Sequence, residues 1–144
     1  MADITAALIT KLKATSSITA VVGSGDDARC WPDKWKEMSG RFPCIVVRRQ
    51  SGGQDLTLQG PSGIETAAIE VESWAVSRSA ADSLDVIIRT ALTATAKPQW
   101  GSVYLSECIA GPAAIDTQES PPNEGSDASI YLTRTTYAVV YNAT

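Results

Sequence analysis

The sequence predicts an α+β domain: a small, mostly antiparallel, four-stranded sheet with helices packed on one face. Three observations predict this class. Apolar residues recur at helical spacing at the start of the chain and again over 80–92. Alternating or β-branched runs occupy 44–50 and 64–76, and glycines and prolines mark the boundaries between segments. The length of 144 residues fits a single domain, 1–144.

The first two elements are predicted to be short helices. Asp3 can cap the first, whose apolar residues share one face. These residues are Ile4, Ala7, Leu8 and Leu12. Ser16 or Ser17 can begin a second helical turn, which Gly23 ends, as glycine does at helix C-termini. Residues 28–43 have no clear period, so we expect irregular structure there.

A predicted strand, "CIVVRRQ" over 44–50, leads into a long hairpin arm at 50–63. Hairpin loops usually have about 2–5 residues, so this connection is too long for a simple turn. Leu56 and Leu58 alternate within it, which predicts that the arm extends beyond the sheet. The sequence Gly60-Pro61-Ser62-Gly63 is predicted to be the breaker that aims the two leucines outward.

The next strand, Ile64 to Val76, has a clean period of two. One face carries Ile69, Val71 and Ala75, and the other carries Glu70, Glu72 and Trp74. The two glutamates predict that the second face is not the core, and that the tryptophan on it lies at a rim or an interface.

A third helix follows, capped by Ser77 or Ser79 and stopped by Lys97-Pro98. Its apolar stripe, which we expect to lie on the sheet, comprises Ala80, Ala81, Leu84, Ile87, Ile88, Ala91 and Leu92. Strands are then predicted over 103–110 and 130–141, with an exposed acidic loop over 116–129 between them. The predicted order is α-(α)-β-β-α-β-β.

The composition argues against an enzyme. The chain has no histidine, so the commonest general base and metal ligand is missing. Its three cysteines are widely spaced, which favours buried, reduced thiols over a disulfide framework or a zinc site. The glycine-rich segments match no phosphate-binding motif, and Ser62 has no histidine to activate it. We expect no catalytic residues, no cofactor-binding residues, no metal site and no membrane span.

Two groups of acidic residues are candidates for a catalytic or a cation-binding site. Glu70 and Glu72 share a strand face, but alternating glutamates are far more common on a solvated face than in catalysis. Asp26, Asp27 and Asp33 lack the spacing of a calcium-binding loop. Neither group supports a named base, nucleophile or metal ligand.

The charge of −4 is unevenly distributed. Six of the twelve basic residues are Arg29, Lys34, Lys36, Arg41, Arg48 and Arg49. After Lys97 the only base is Arg134, whereas the acids there are Glu107, Asp116, Glu119, Glu124 and Asp127. This asymmetry fits either ordinary solvated surface or complementary faces that meet between copies of the chain.

The stretch Phe42 to Leu92 resembles the tail-completion or tail-terminator proteins of long-tailed bacteriophages. The likeness lies in a strand after a proline, a loop ending L-x-G-P-S-G at Leu58–Gly63, and a strand ending in Trp74-Ala75. A helix rich in Ala, Asp and Leu follows, and "ARCWPD" upstream looks like the short aromatic-proline entry of the family.

The resemblance implies a ring, expected to be a hexamer, at the head-proximal end of the tail tube. Such a ring ends polymerisation of the tail tube protein and offers a surface to the head–tail connector protein, with DNA only passing through its bore. It would be assembled in the host cytoplasm and reside in the virion. A head-completion or neck protein and a tail tube subunit remain alternatives, as does an unrelated small-ligand-binding α+β module.

The candidate oligomer or partner contacts fall into two groups. The arm supplies Leu56, Leu58, Gly60, Pro61 and Gly63, and the strands beside it supply Arg48, Arg49, Glu70, Glu72 and Trp74. For the leucines, local packing against their own domain is the alternative.

Overall fold

A computed structural model describes most of the chain. The described residues are 4–23, 29–32, 43–57, 60–94, 98–101, 103–118 and 130–142. The helices are α1 (Ile4–Ala14), α2 (Ser16–Val22) and α3 (Arg78–Thr93). The strands are β1 (Cys30–Pro32), β2 (Cys44–Thr57), β3 (Gly60–Ala75), β4 (Gln99–Trp100), β5 (Val103–Ala110), β6 (Ala114–Gln118) and β7 (Ile130–Asn142).

The α+β class is confirmed, but the prediction of four strands is wrong: the described residues form seven. The strand order is β1-β2-β3-β7-β5-β4, with β6 also paired to β7. All pairs are antiparallel except β1 with β2. The additional strands β1 and β4, with three and two residues, are too short to show a period in the sequence.

The third addition, β6, continues the line of β5 along β7. Ala110 pairs with Tyr137 at the end of β5, and Ala114 pairs with Arg134 at the start of β6. The prediction of a loop from residue 116 is therefore wrong for 116–118, which belong to β6, and 119–129 lie outside the described residues. The strand was missed because Asp116 and Gln118 have little β-propensity and the polar, acidic sequence of 119–129 follows directly.

The main core lies between the helices and one face of the sheet, named here the helix face. Its helical members include Leu8, Leu12, Leu84 and Ile88, which are almost fully buried. Their partners on β2, β3 and β7 include Val47, Ile69, Val71, Tyr137 and Tyr141. The predicted helix over the α3 region is confirmed, although Ala80 is exposed and Asp85 is buried instead.

Polar contacts fix α3 on β7. The buried Asp85 accepts a hydrogen bond of 2.7 Å from the hydroxyl of Thr135, which in turn accepts one of 3.0 Å from Arg89. One turn earlier, Asp82 accepts a bond of 2.6 Å from Thr133. The Ser77 hydroxyl caps α3 by accepting from the amide of Ala80, as predicted for this position. These bonds set the rotation of the helix on the sheet as well as its position.

The opposite face of the sheet, named here the outer face, carries a second apolar cluster. It consists of Cys44, Val46, Trp74 and Leu132. Glu70 and Glu72 lie beside it and are only 7% and 3% exposed. The prediction of a solvated glutamate face with Trp74 at its rim is therefore wrong. Strand alternation shows which side chains share a face but carries no information on whether that face is covered.

The N-terminal elements are joined to the sheet through Arg29. Its guanidinium donates to the carbonyls of Val21 and Pro43, at 2.9 and 2.8 Å. Gly23 ends α2 with a φ of 91°, which confirms the predicted glycine stop. None of the three described helices is long and apolar enough to cross a lipid bilayer.

Candidate assembly surface

The arm predicted at 50–63 is a continuation of the β2–β3 ladder. β7 ends at Asn142, opposite Ile64, whereas β2 and β3 remain paired as far as Leu56 with Pro61 and Thr57 with Gly60. The residues beyond β7, namely 56–57 and 60–63, are named here the overhang. At about 3.3 Å per residue, a run of four projects roughly 13 Å past the end of β7.

The Gly60-Pro61-Ser62-Gly63 segment is part of strand β3, so the prediction of a breaker there is wrong. Pro61 is tolerated because this end of β3 has β2 as its only described neighbour. A strand with a neighbour on one side only can lack one amide donor. β2 ends at Thr57, which pairs with Gly60, the first residue of β3. Leu58 lies outside the described residues, so its contact role stays a prediction. Leu56, Gly60, Pro61 and Gly63 all lie in the overhang.

Two ion pairs lie where the arm joins the sheet, one on each face. This region is named here the root, and it comprises Arg48, Arg49, Glu65, Glu70, Glu72 and Trp74. Arg48 is 3.6 Å from Glu72 on the outer face, and Arg49 is 3.9 Å from Glu65 on the helix face. The arginine side chains are 39% and 37% exposed, whereas each carboxylate side chain is only 4% exposed. Each buried carboxylate thus has a cation at the solvent boundary, which offsets part of its desolvation cost.

On the outer face, Glu72 is held by several groups. The Trp74 indole donates to it at 3.3 Å, and Glu70 is the cross-strand neighbour of Arg48. Burial raises the pKa of Glu72, and a hydrogen bond with Glu70 raises it further, against the lowering effect of Arg48. Glu72 therefore favours its protonated form more than an exposed glutamate does.

On the helix face, the Tyr141 hydroxyl donates a hydrogen bond to Glu65. Burial, followed by this bond, raises the pKa of Tyr141 to about 12. The sequence prediction did not include Glu65. The signal was present, because Glu65 lies four residues before Ile69 in the same strand, and alternation places both on one face.

The structure thus brings one group of predicted contacts together and separates it from the other. Arg48, Glu70, Glu72 and Trp74 share the outer face at the root, and Arg49 lies on the helix face beside them. The overhang begins further along the ladder, at Leu56. Three of the six clustered bases, Arg29, Arg48 and Arg49, have partners within the chain. The other three lie outside the described residues.

The described side chains offer little reaction chemistry. Burial raises the pKa values of Cys30 and Cys44 to about 12 and that of Cys108 to about 11, so the thiols stay protonated at neutral pH. Cys30 and Cys44 are buried free thiols, as predicted, and Cys108 is half-buried. In the described part of the chain, no three cysteine, aspartate or glutamate side chains are placed to hold a metal ion.

Apolar side chains are also exposed on this sheet. Tyr104 and Ile109 of β5 are 66% and 53% exposed, and Ile64, where the overhang begins, is 40% exposed. Ile109 belongs to the outer face, where it lies opposite Ala138 of β7. The arm-proximal half of the outer face is thus open, whereas the half around Trp74 is buried.

No protein-family model and no curated protein matches the sequence. One solved structure similar to this chain is described as the virion of a native gene transfer agent (GTA) particle. The TM-score is 0.55 at 14% sequence identity, and the alignment covers 96% of this chain and 94% of that chain. At this identity the likeness is one of fold, and it extends over nearly the whole of both chains.

Proposed function

We propose that this protein is a structural component of a phage-like virion that assembles as a ring on the head-proximal end of the tail tube. The ring ends growth of the tube and provides the surface that the head–tail connector protein meets. The protein is expected to act through contacts alone, without a catalytic step. DNA passes through the bore as cargo, consistent with a chain of net charge −4 that has little general affinity for phosphate.

Two findings support a virion role. The fold is shared, over nearly the full length of both chains, with a component of a gene transfer agent virion. The ordered sequence pattern around Leu58–Gly63 and Trp74-Ala75 independently resembles the tail-terminator family.

The observation that carries self-assembly is the overhang. A two-stranded ribbon is marginally stable in water unless further strands or a packing surface support it. The overhang has only its own two strands among the described residues. A partner that covered the ribbon would stabilise it, and a ring supplies that partner from the next copy of the chain.

The test measures the native mass of the purified protein and the lengths of tubes grown from tail tube protein in its presence. We expect a closed assembly, sixfold in the simplest case, and tubes that stop growing when it is added. Leu56→Asp, in the overhang, should dissociate the ring. Val86→Asp is the matched control, since Val86 is an exposed apolar residue on α3, away from the arm.

Two results would contradict the proposal. A protein that stays monomeric at all concentrations and leaves tube length unchanged would exclude a terminator. Spontaneous growth of the purified protein into long tubes would identify a tube subunit instead.

A further inference from the structure

The sheet has two edges on which main-chain groups lack a described strand partner. On one side, β1 pairs only with Ile45–Val47 of β2, and no described strand lies beside β2 from Arg48 to Thr57. On the other side of the sheet, β4 pairs only with Val103 and Tyr104 of β5. From Ser106 to Ala110, β5 therefore has no described strand on the side that faces away from β7. Such a row of free donors and acceptors is a template for adding a strand from another chain.

The two edges overlap in their positions along the strand direction. Following the ladders across β3 and β7, Gly53 is level with Thr66, Val140 and Glu107. Ser51 is level with Ala68, Ala138 and Ile109. Residues 49–53 of β2 are therefore level with 107–110 of β5.

The strand directions are also compatible. Since β2, β3, β7 and β5 are successive antiparallel neighbours, β2 and β5 run in opposite directions within one chain. If two copies of the chain are related by rotation about an axis parallel to the strands, each strand keeps its direction. The β2 edge of one copy and the β5 edge of the next would therefore meet antiparallel, the more stable of the two pairings.

Two of the residues that most often block such pairing, lysine and proline, are absent from the free part of β2 and from the free part of β5. Register shifts lie between Arg49 and Ser51 in β2 and between Leu105 and Glu107 in β5. These irregularities bend the strands, which suits a curved sheet more than a flat one.

An exposed apolar side chain also lies on the free part of β5. Ile109 is 53% exposed, and a new strand along this edge would cover part of it.

We propose that successive copies of this chain join edge to edge, with the β2 edge around 49–53 pairing antiparallel with the β5 edge over 106–110 of the next copy. The contact is heterologous, since two different surfaces meet, so it closes into a ring when the rotation allows. This inference rests on the self-assembly part of the proposed function and specifies how the copies join.

Disulfide trapping tests the contact in the assembled protein. In a Cys108→Ser background, the double variant Gly53→Cys with Glu107→Cys joins residues that are level if the strands run along the ring axis. Gly53→Cys with Ile109→Cys joins residues staggered by two, as tilted strands in a closed sheet require. Both pairs keep the side chains on one face.

Cross-links within one chain are excluded by distance. Two strands separate β2 from β5, so their edges are three ladder steps, or about 14 Å, apart, whereas a disulfide needs Cα atoms within about 7 Å. Each single cysteine variant is a control, since a heterologous contact does not bring a residue to its own copy. Gly53→Cys with Thr90→Cys, on the exposed side of α3, is the control for random collision.

Mild oxidation of one or both edge pairs should give a covalent ladder that ends at the ring size, while the controls stay as single chains. Native mass is measured on the same samples. An intact ring in which neither edge pair cross-links would overturn the edge pairing and leave the ring proposal standing. A protein that neither associates nor cross-links would overturn both, and equal cross-linking in the Thr90 control would overturn the pairing as well.

Discussion

The junction of α3 with β7 and the root of the arm both contain buried carboxylates, but the partners of these carboxylates differ. At the junction, Asp85 is satisfied by the hydroxyl of Thr135 and by Arg89 within one packed interface. At the root, Glu65 and Glu72 have arginines at the solvent boundary, and the ladder continues past the sheet into the overhang. The second region leads into a two-stranded ribbon that no further described strand covers.

This difference predicts that the α3 junction affects mainly folding and that the arm affects mainly assembly. Changes at the α3 junction should lower the free energy of unfolding and leave assembly intact in the folded fraction. Changes in the overhang should do the reverse, and changes at the root should affect folding to an intermediate degree.

Asp85→Ala should have the largest effect. It leaves Arg89 and Thr135 facing a buried site without their acceptor, and breaking a buried pair typically costs about 3–5 kcal/mol. We expect the free energy of unfolding in urea to fall by about 3 kcal/mol. Asp82→Ala is the control, since the Asp82 side chain is 45% exposed, and it should cost about 1 kcal/mol or less. Equal losses would contradict the assignment of the junction.

Tyr141→Phe should have the next largest effect. It removes the hydroxyl that donates to the buried Glu65 and leaves that carboxylate with Arg49 alone. A buried acceptor that loses its donor costs about 1–3 kcal/mol, so we expect a loss of about 2 kcal/mol in the same measurement. Tyr104→Phe, at a tyrosine that is 66% exposed, should leave stability unchanged. If both variants behave alike, the root does not contribute to folding.

These two sites show what the sequence could and could not predict. Helical spacing located α3, a short β-branched run located β2, and alternation located β3, because all of these are local properties of the chain. The number of strands was missed because β1 and β4 contain too few residues to repeat. The burial of Glu70, Glu72 and Trp74 was missed because covering a face is a tertiary event that alternation does not report.

The candidate site follows the same rule. The arm could be predicted, since fourteen residues are too many for a hairpin turn. Arg48, Arg49, Glu70 and Glu72 are predicted from the sequence as charged interface or lumen candidates, and that role stays a prediction. What the sequence does not reveal is that Arg48 pairs with Glu72 and Arg49 with Glu65. The pairing of Arg49 with Glu65 depends on the β2–β3 register, which no single strand encodes.

Glu72→Gln should change how stability depends on pH. Burial and Glu70 raise the pKa of Glu72 above its ordinary value of about 4.3, so the folded chain holds a proton that the unfolded chain has lost. Stability of the wild type should therefore fall as pH rises from about 4.3 through the folded pKa, by at most about 1.4 kcal/mol per pH unit. The glutamine variant lacks this titration and should gain on the wild type over that range.

The measurement is urea unfolding of both proteins between pH 4 and pH 8. Glu107→Gln, at an exposed carboxylate on β5, is the control and should follow the wild type at concentrations below ring formation. A difference between Glu72→Gln and the wild type that stays constant with pH, or shrinks as pH rises, would show that the folded state does not favour the protonated acid.

Leu56→Asp should have the smallest effect on folding and is the sharpest test of the comparison. If Leu56 serves a partner, as its place in the overhang favours, the variant should lose the ring, and its dissociated chain should unfold within about 0.5 kcal/mol of the dissociated wild type. If Leu56 instead packs on its own domain, burying a charge there should cost several kcal/mol. Unfolding at concentrations below ring formation separates the two, because assembly then adds nothing to the wild type. Only the first outcome fits a region whose strands are completed by another copy of the chain.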